Sequence, residues 1–383
     1  MARSKELGIK ALAAVHFYVN ELDRFRRFWV DQLDFAFVAA STDEQQAQTG
    51  MRTEVYEAGR ARYVVSQSVD PSSEAGRWMV RHPDGVGELI FEVDDVQTTY
   101  RVLESRGAAM VNEVASIESG GGTWSSFSIA TAFGDTLFTF VQNNGFSDPV
   151  PYASRFGTPK GGSNRFRFDE IDHVTSNFLT LQPLVLWCKE VMGFEEYWGI
   201  EFHTRDYAQK VGHTGSGLRS AVMWDPHSGV KFANNEPLQP YFFKSQIYTF
   251  VEDNHGPGVQ HTALTIEDIV GTVGAMRQKG VEFMPTPGTY YDMLPERLEA
   301  DAIEIEEDMD ILRKREILVD GEGPGKYLLQ IFAKDFAQLF DNPNGGPFFL
   351  EIIQRKGDRG FGGGNFRALF ESIERNQVQT GRV

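Results

Sequence analysis

The chain has 383 residues, 41% hydrophobic and 24% charged, which is an ordinary globular composition on a length that predicts two domains. Its formal net charge of −17 argues against nucleic acid or an anionic membrane as partner, because both call for a basic face, while leaving room for a small anionic substrate beside one local cation. A single cysteine, Cys188, excludes an internal disulfide and a thiolate metal site, and the lack of a secretion signal or a membrane-length apolar run predicts a cytoplasmic protein.

In chain order, residues 12–35, "LAAVHFYVNELDRFRRFWVDQLDF", read as a short strand, then a helix with apolar residues at Phe25, Phe28 and Trp29, then a strand from Phe35. Residues 84–111, "DGVGELIFEVDDVQTTYRVLESRGAAMV", give a turn, a strand and a helix. That helix opens on Asp94-Asp95 and closes at Gly107, the residue types that cap the two ends. An apolar strand follows in "GDTLFTFVQ" at 134–142. Residues 151–168, rich in Gly, Pro and Ser, read as a linker between a domain at 1–150 and a second at 169–383.

The second domain repeats the first. Residues 171–194, "IDHVTSNFLTLQPLVLWCKEVMGF", match 12–35 without a gap, with Leu184, Trp187 and Cys188 on the helix and a strand from Phe194. Residues 257–284, "PGVQHTALTIEDIVGTVGAMRQKGVEFM", match 84–111, with Glu267-Asp268 and Gly280 at the helix ends. "GPFFLEIIQ" at 346–354 matches 134–142. The acidic insert "LPERLEADAIEIEEDMDILRKREILVD" reads as a solvated helical surface. Strand–helix–strand units of this kind bury both faces only by pairing and curling a mixed sheet around a cavity, an α+β architecture.

Matched positions differ in one respect that bears on function. Where the first half has Ala14, Glu88 and Thr139, the second has His173, His261 and Glu351. Each falls on a core strand, and alternation can turn all three to one face. A carboxylate inside the apolar run "FFLEII" is expensive to bury unless a partner or a cation neutralises it. Two imidazoles and one carboxylate form the facial triad of non-haem Fe(II), which leaves three coordination positions open. His16, His82, His203, His213, His227 and His255 lack this placement and read as surface or loop residues. Without an HExxH helix or a nucleophile–base pair, a zinc hydrolase is disfavoured.

The motifs "GVQHTALTIEDIV", "TPGTYYDML", "LLQIFAK", "FFLEIIQRKG" and "FGGGNFRALFESIE", in this order, resemble the 4-hydroxyphenylpyruvate dioxygenases. The resemblance runs from about residue 165 to 380. It implies tandem βαβββ vicinal-oxygen-chelate (glyoxalase-like) modules forming two curled open-barrel domains. It further implies one Fe(II) per chain, held by His173, His261 and Glu351, and a homodimer or homotetramer. The implied activity, part of tyrosine and phenylalanine catabolism, joins 4-hydroxyphenylpyruvate and O2 to give homogentisate and CO2. Carried over residue by residue, the catalytic contacts are Ser220, Asn235, Gln246, Gln260 and Gln330, and the substrate-binding residues are Phe332, Phe349, Phe361, Asn365 and Phe366. Amides and a hydroxyl suit a phenol because they both donate and accept without competing for iron. The tail "FGGGNFRALFESIE" is implied to be a helical gate hinged on glycines, although Gly363 stands where the family usually has lysine.

Three alternatives share this fold. A 4-hydroxymandelate synthase would carry the same triad, with an apolar residue at Asn235 and an aliphatic one at Phe366. An extradiol catechol dioxygenase would need an additional acid–base histidine. A ligand-sequestering module would need no triad.

Overall fold

The computed structural model describes residues 3–203, 217–239 and 242–365. The first half supplies β1 (Ile9–Val19), β2 (Ala36–Ala40), β3 (Met51–Ala58), β4 (Ala61–Ser68), β5 (Gly85–Val93), β6 (Ala109–Met110), β7 (Ala115–Ser119), β8 (Gly122–Ala130), β9 (Leu137–Asn144) and β10 (Ser154–Gly161). The second supplies β11 (Phe168–Asn177), β12 (Glu195–His203), β13 (Gly217–Trp224), β14 (Lys231–Pro237), β15 (Gly258–Ile266), β16 (Leu318–Gly323), β17 (Lys326–Phe332) and β18 (Phe349–Lys356).

The two sheets share one strand order. The first runs β10-β2-β3-β4-β1-β5-β9-β8-β6, with β7 on β8, and the second runs β12-β13-β14-β11-β15-β18-β17-β16. In both, the central pair is antiparallel (β1 with β5, β11 with β15) and each member has a parallel neighbour (β4 and β9, β14 and β18). Each half is therefore two βαβββ units joined at their first strands, and the α+β tandem-module expectation holds.

Local chemistry explains the helices. Phe25, Phe28 and Trp29 are buried at helical spacing in Leu22–Arg26 and its continuation Arg27–Gln32. Asp95 and Asp268 accept from backbone N–H groups at the starts of helices Val96–Ser105 and Ile269–Gln278, and Gly107 and Gly280 follow their ends at φ +80° and +88°. Across the acidic insert and the six residues before it, helices Gly288–Ala300 and Met309–Arg315 bury Tyr290, Tyr291, Leu294, Leu298 and Leu312 and turn most of their charge outward.

The halves share a core. Phe336 of the second half packs within 6.0 Å of Phe17 and 5.1 Å of Phe25 and Phe28. Phe138 stacks on Phe232 at 5.6 Å, and the Tyr63 hydroxyl lies 2.8 Å from that of Thr262. Within 151–168, β10 pairs with β2 at the edge of the first sheet, where the Phe156 ring packs at 4.9 Å against Phe37 of β2.

Two histidines depart from the surface-or-loop expectation. His16 is 1% exposed inside the first sheet, with Nδ1 2.7 Å from Glu88 and Nε2 2.7 Å from Ser66. It sits in the apolar run "VHFYV", where alternation turns it inward to polar partners. His82 is also buried, between Asp135 and the Asn254 carbonyl, each at 2.7 Å. His203, His227 and His255 are exposed, and His213 lies outside the described residues. Among the described residues no helix is long and apolar enough to cross a membrane.

Candidate metal centre

Four adjacent strands bring the triad together. His173 on β11 pairs with Ala263 on β15, Ala263 with Glu351 on β18, and Glu351 with Phe332 on β17. Cross-strand partners share a face, and His261 joins them two residues before Ala263. The methyl side chain of Ala263 leaves the middle of the row open. One ligand atom from each of His173, His261 and Glu351 lies within 4.8 Å of the others, and the three are 4%, 4% and 2% exposed.

The hydrogen bonds orient each ring. His173 Nδ1 is 2.9 Å from Asp172 Oδ1, and His261 Nδ1 is 3.2 Å from Gln260 Oε1. With the proton on Nδ1, both Nε2 lone pairs point inward, each 3.4 Å from Glu351 Oε2. Cis donors about 2.1 Å from an ion stand about 3 Å apart, close to the 3.4 Å that separates Glu351 from each imidazole. Burial raises the Glu351 carboxyl, but the two imidazoles outweigh it and hold it at about 2. Burial opposes charging of His173, yet Glu351 and Asp172 push its pKa up overall; at His261 burial prevails and the pKa falls. The centre is thus an anion beside two inward-facing nitrogens, an arrangement that a cation completes.

The other expected residues surround it unevenly. Gln330 Nε2 donates to Glu351 Oε1 at 2.7 Å, and its Oε1 accepts from Asn365 Nδ2 at 2.9 Å. Phe349 stacks on His261 at 4.7 Å, Phe332 stands 6.2 Å from the same ring, and Phe361 lies 5.1 Å from His173. A cavity of about 20 Å³ remains against the triad, walled also by Gln330, Phe332, Phe361 and Gly362. Gly362 has φ +66°, and a Cβ there would come within 2.3 Å of Gln330 Oε1, so only glycine fits.

Ser220, Asn235 and Gln246 are buried but do not line this cavity. Ser220 and Asn235 are register partners on β13 and β14. Ser220 Oγ and Asn235 Oδ1 are buried with no hydrogen-bond partner among the described residues, a state that a polar ligand relieves. Gln246 opens helix Gln246–Asp253. Phe366 lies outside the described residues.

The sequence reading did not single out Asp172, Lys231 or Arg355. Burial opposes ionisation of Asp172, but hydrogen bonds from Arg355 and His173 bring its carboxyl well below the ordinary range. Trp198 and Tyr197, whose rings flank Phe361 at 6.2 and 5.9 Å, were also missed. The repeat held the signal for the first group: the matched first-half positions are Ala13, Arg62 and Asn143, so the buried acid and its arginine belong to the triad half alone.

The tandem βαβββ sheets with an inward triad define a class, and the model of the Glyoxalase/Bleomycin resistance protein/Dioxygenase superfamily matches residues 11–130 and 170–294. A triple mutant of 4-hydroxymandelate synthase from Streptomyces coelicolor superposes with a TM-score of 0.80 at 27% identity, over 97% of this chain and 99% of that one. Within the class, 4-hydroxyphenylpyruvate dioxygenase of Dictyostelium discoideum is 38% identical over 80% of this chain and 81% of its own length. The same enzyme of Danio rerio is 33% identical over 96% and 91%. The chain belongs to the 4-hydroxyphenylpyruvate dioxygenase family.

Proposed function

We propose that the chain converts 4-hydroxyphenylpyruvate and O2 into homogentisate and CO2, using one ferrous ion held by His173, His261 and Glu351. The carrying observation is the buried convergence of those three side chains in a chain of this family. The atoms balance: one oxygen enters the new carboxylate, one becomes the ring hydroxyl, and the original carboxyl carbon leaves as CO2. Bound iron supplies Lewis-acid and redox chemistry toward the keto acid and dioxygen.

The side chains bind and orient. Asp172 and Gln260 keep the imidazoles in the tautomer whose Nε2 atoms face inward. Phe332 and Phe361 offer two aromatic walls for a phenyl ring. The Asn235 amide oxygen is free to accept a hydrogen bond from a phenol, and the Ser220 hydroxyl can donate or accept. Gln330 ties the carboxylate to Asn365, which in turn accepts from the Tyr290 hydroxyl at 2.8 Å. A space of about 20 Å³ beside the triad has room for about one water, and the rings of Phe332 and Phe361 wall it, which keeps bulk water from the reacting atoms.

The likeness to 4-hydroxymandelate synthase makes benzylic oxidation the reading to separate, and the polar side chain at Asn235 favours attack on the ring. Mass spectrometry and chromatography of the product decide between them. Homogentisate is expected, and hydroxymandelate would replace this reading. A ligand-sequestering module would bind aromatic acids without consuming oxygen.

A further inference from the structure

Asp172 lies beside a ligand and is also wired to the turn that closes the cavity. Its Oδ1 is 2.9 Å from His173 Nδ1. Arg355 grips it from the other side with Nε to Oδ2 at 2.6 Å and Nη2 to Oδ1 at 2.7 Å. The remaining arm, Nη1, donates to the carbonyls of Gly360 at 2.7 Å and Asp358 at 3.3 Å. Phe361 follows directly and packs against the His173 ring at 5.1 Å in a T-shaped contact. Lys231 completes the set, 3.4 Å from Asp172 and 5.5 Å from the centre of the Phe361 ring. Asp172 and Arg355 have side chains only 6% and 17% exposed.

A buried ion pair is weak as a stabilising device, since desolvation offsets its attraction. What it supplies is geometry: a planar fork fixes a carboxylate in two directions at once. The first half has the same strands in the same order but Ala13 and Asn143 at these positions, and it folds without the pair. The fold therefore does not require it.

We infer that Asp172 and Arg355 are positioning residues that couple the orientation of His173 to the closed placement of Phe361, so that ligand geometry and the aromatic wall are set together. This rests on the metal-site reading above, and metal binding by the parent chain is the control that separates the two. The test uses the full chain under nitrogen, with Co(II) affinity by titration and backbone hydrogen exchange across residues 358–362 in the metal-free protein. Arg355→Lys keeps the charge but removes the fork. It should weaken Co(II) binding about 10- to 100-fold, the usual effect of losing a ligand's outer partner, and accelerate exchange in the turn. Asp172→Asn, close in shape, should produce the same pair of changes and serves if the first variant folds poorly. Loss of Co(II) affinity without faster exchange in the turn, faster exchange at parental affinity, or neither effect in a folded variant would overturn the coupling. A parent chain that bound no metal would instead overturn the reading beneath it.

Discussion

Replacing Glu351 by glutamine removes the centre's anion while keeping its shape and an oxygen to accept from Gln330. In the metal-free protein the carboxyl falls from 4.5 to about 2, a difference equivalent to about 3 kcal/mol. Because the folded value is the depressed one, this stabilisation is present above 4.5 and is lost as pH falls toward 2. Glu351→Gln should therefore destabilise the metal-free chain by about 3 kcal/mol at pH 7 and by only about 1 kcal/mol at pH 3, measured by urea unfolding. With metal the effect is larger, because an inner ligand is lost as well as a charge. Affinity for Fe(II) or Co(II) should drop by more than about 100-fold, beyond the effect of outer partners, measured by anaerobic titration. A variant that binds either ion within threefold of the parent would refute the assignment of Glu351, however stable it proved.

Metal uptake near pH 6.5 should release protons, chiefly from His173, whose pKa is raised by Glu351 and Asp172 where those of His261 and Glu351 are lowered. The stabilisation from charged His173 is present below about 6.5 and is lost as pH rises through its raised folded value. Calorimetry in buffers of different ionisation enthalpy detects the release, and uptake that frees no proton contradicts this. Phe361→Ala should open the cavity of about 20 Å³ and make O2 consumption exceed homogentisate formation. An oxygen electrode alongside product chromatography tests it, and a preserved one-to-one ratio counts against the wall. Phe336→Ala should lower stability by about 3–5 kcal/mol and affect both halves together. A loss under about 1 kcal/mol in denaturant would mean that the shared aromatic core contributes little.

Much of the candidate centre is legible in the sequence because the chain contains its own comparison. The gapless match of 12–35 with 171–194 fixes His173 against Ala14, and the paired registers of β5/β9 and β15/β18 align Glu88 with His261 and Thr139 with Glu351. Helix caps at Asp95 and Asp268 are local, depending on a few consecutive residues. The Asp172–Arg355 pair is not, because it joins residues 183 positions apart. Ala13 and Asn143 are neither histidine nor carboxylate, so the contrast with Asp172 and Arg355 shows only once the strands are paired. His16 is buried against expectation because inward alternation and a distant partner, Glu88, outweigh the tendency of histidine to stay at the surface. The substrate contacts expected at Ser220, Asn235 and Gln246 come from the family motifs alone, and these residues do not line the small cavity beside the triad.

The most direct measurement is the visible spectrum of the ferrous protein, under nitrogen, as 4-hydroxyphenylpyruvate is added. A new absorption band that neither component shows alone, saturating at one keto acid per chain and absent in His173→Ala and His261→Ala, is the predicted result. A spectrum that stays featureless with iron demonstrably bound, or a band that survives both substitutions, would contradict the claim that these side chains hold a ferrous ion open to its substrate.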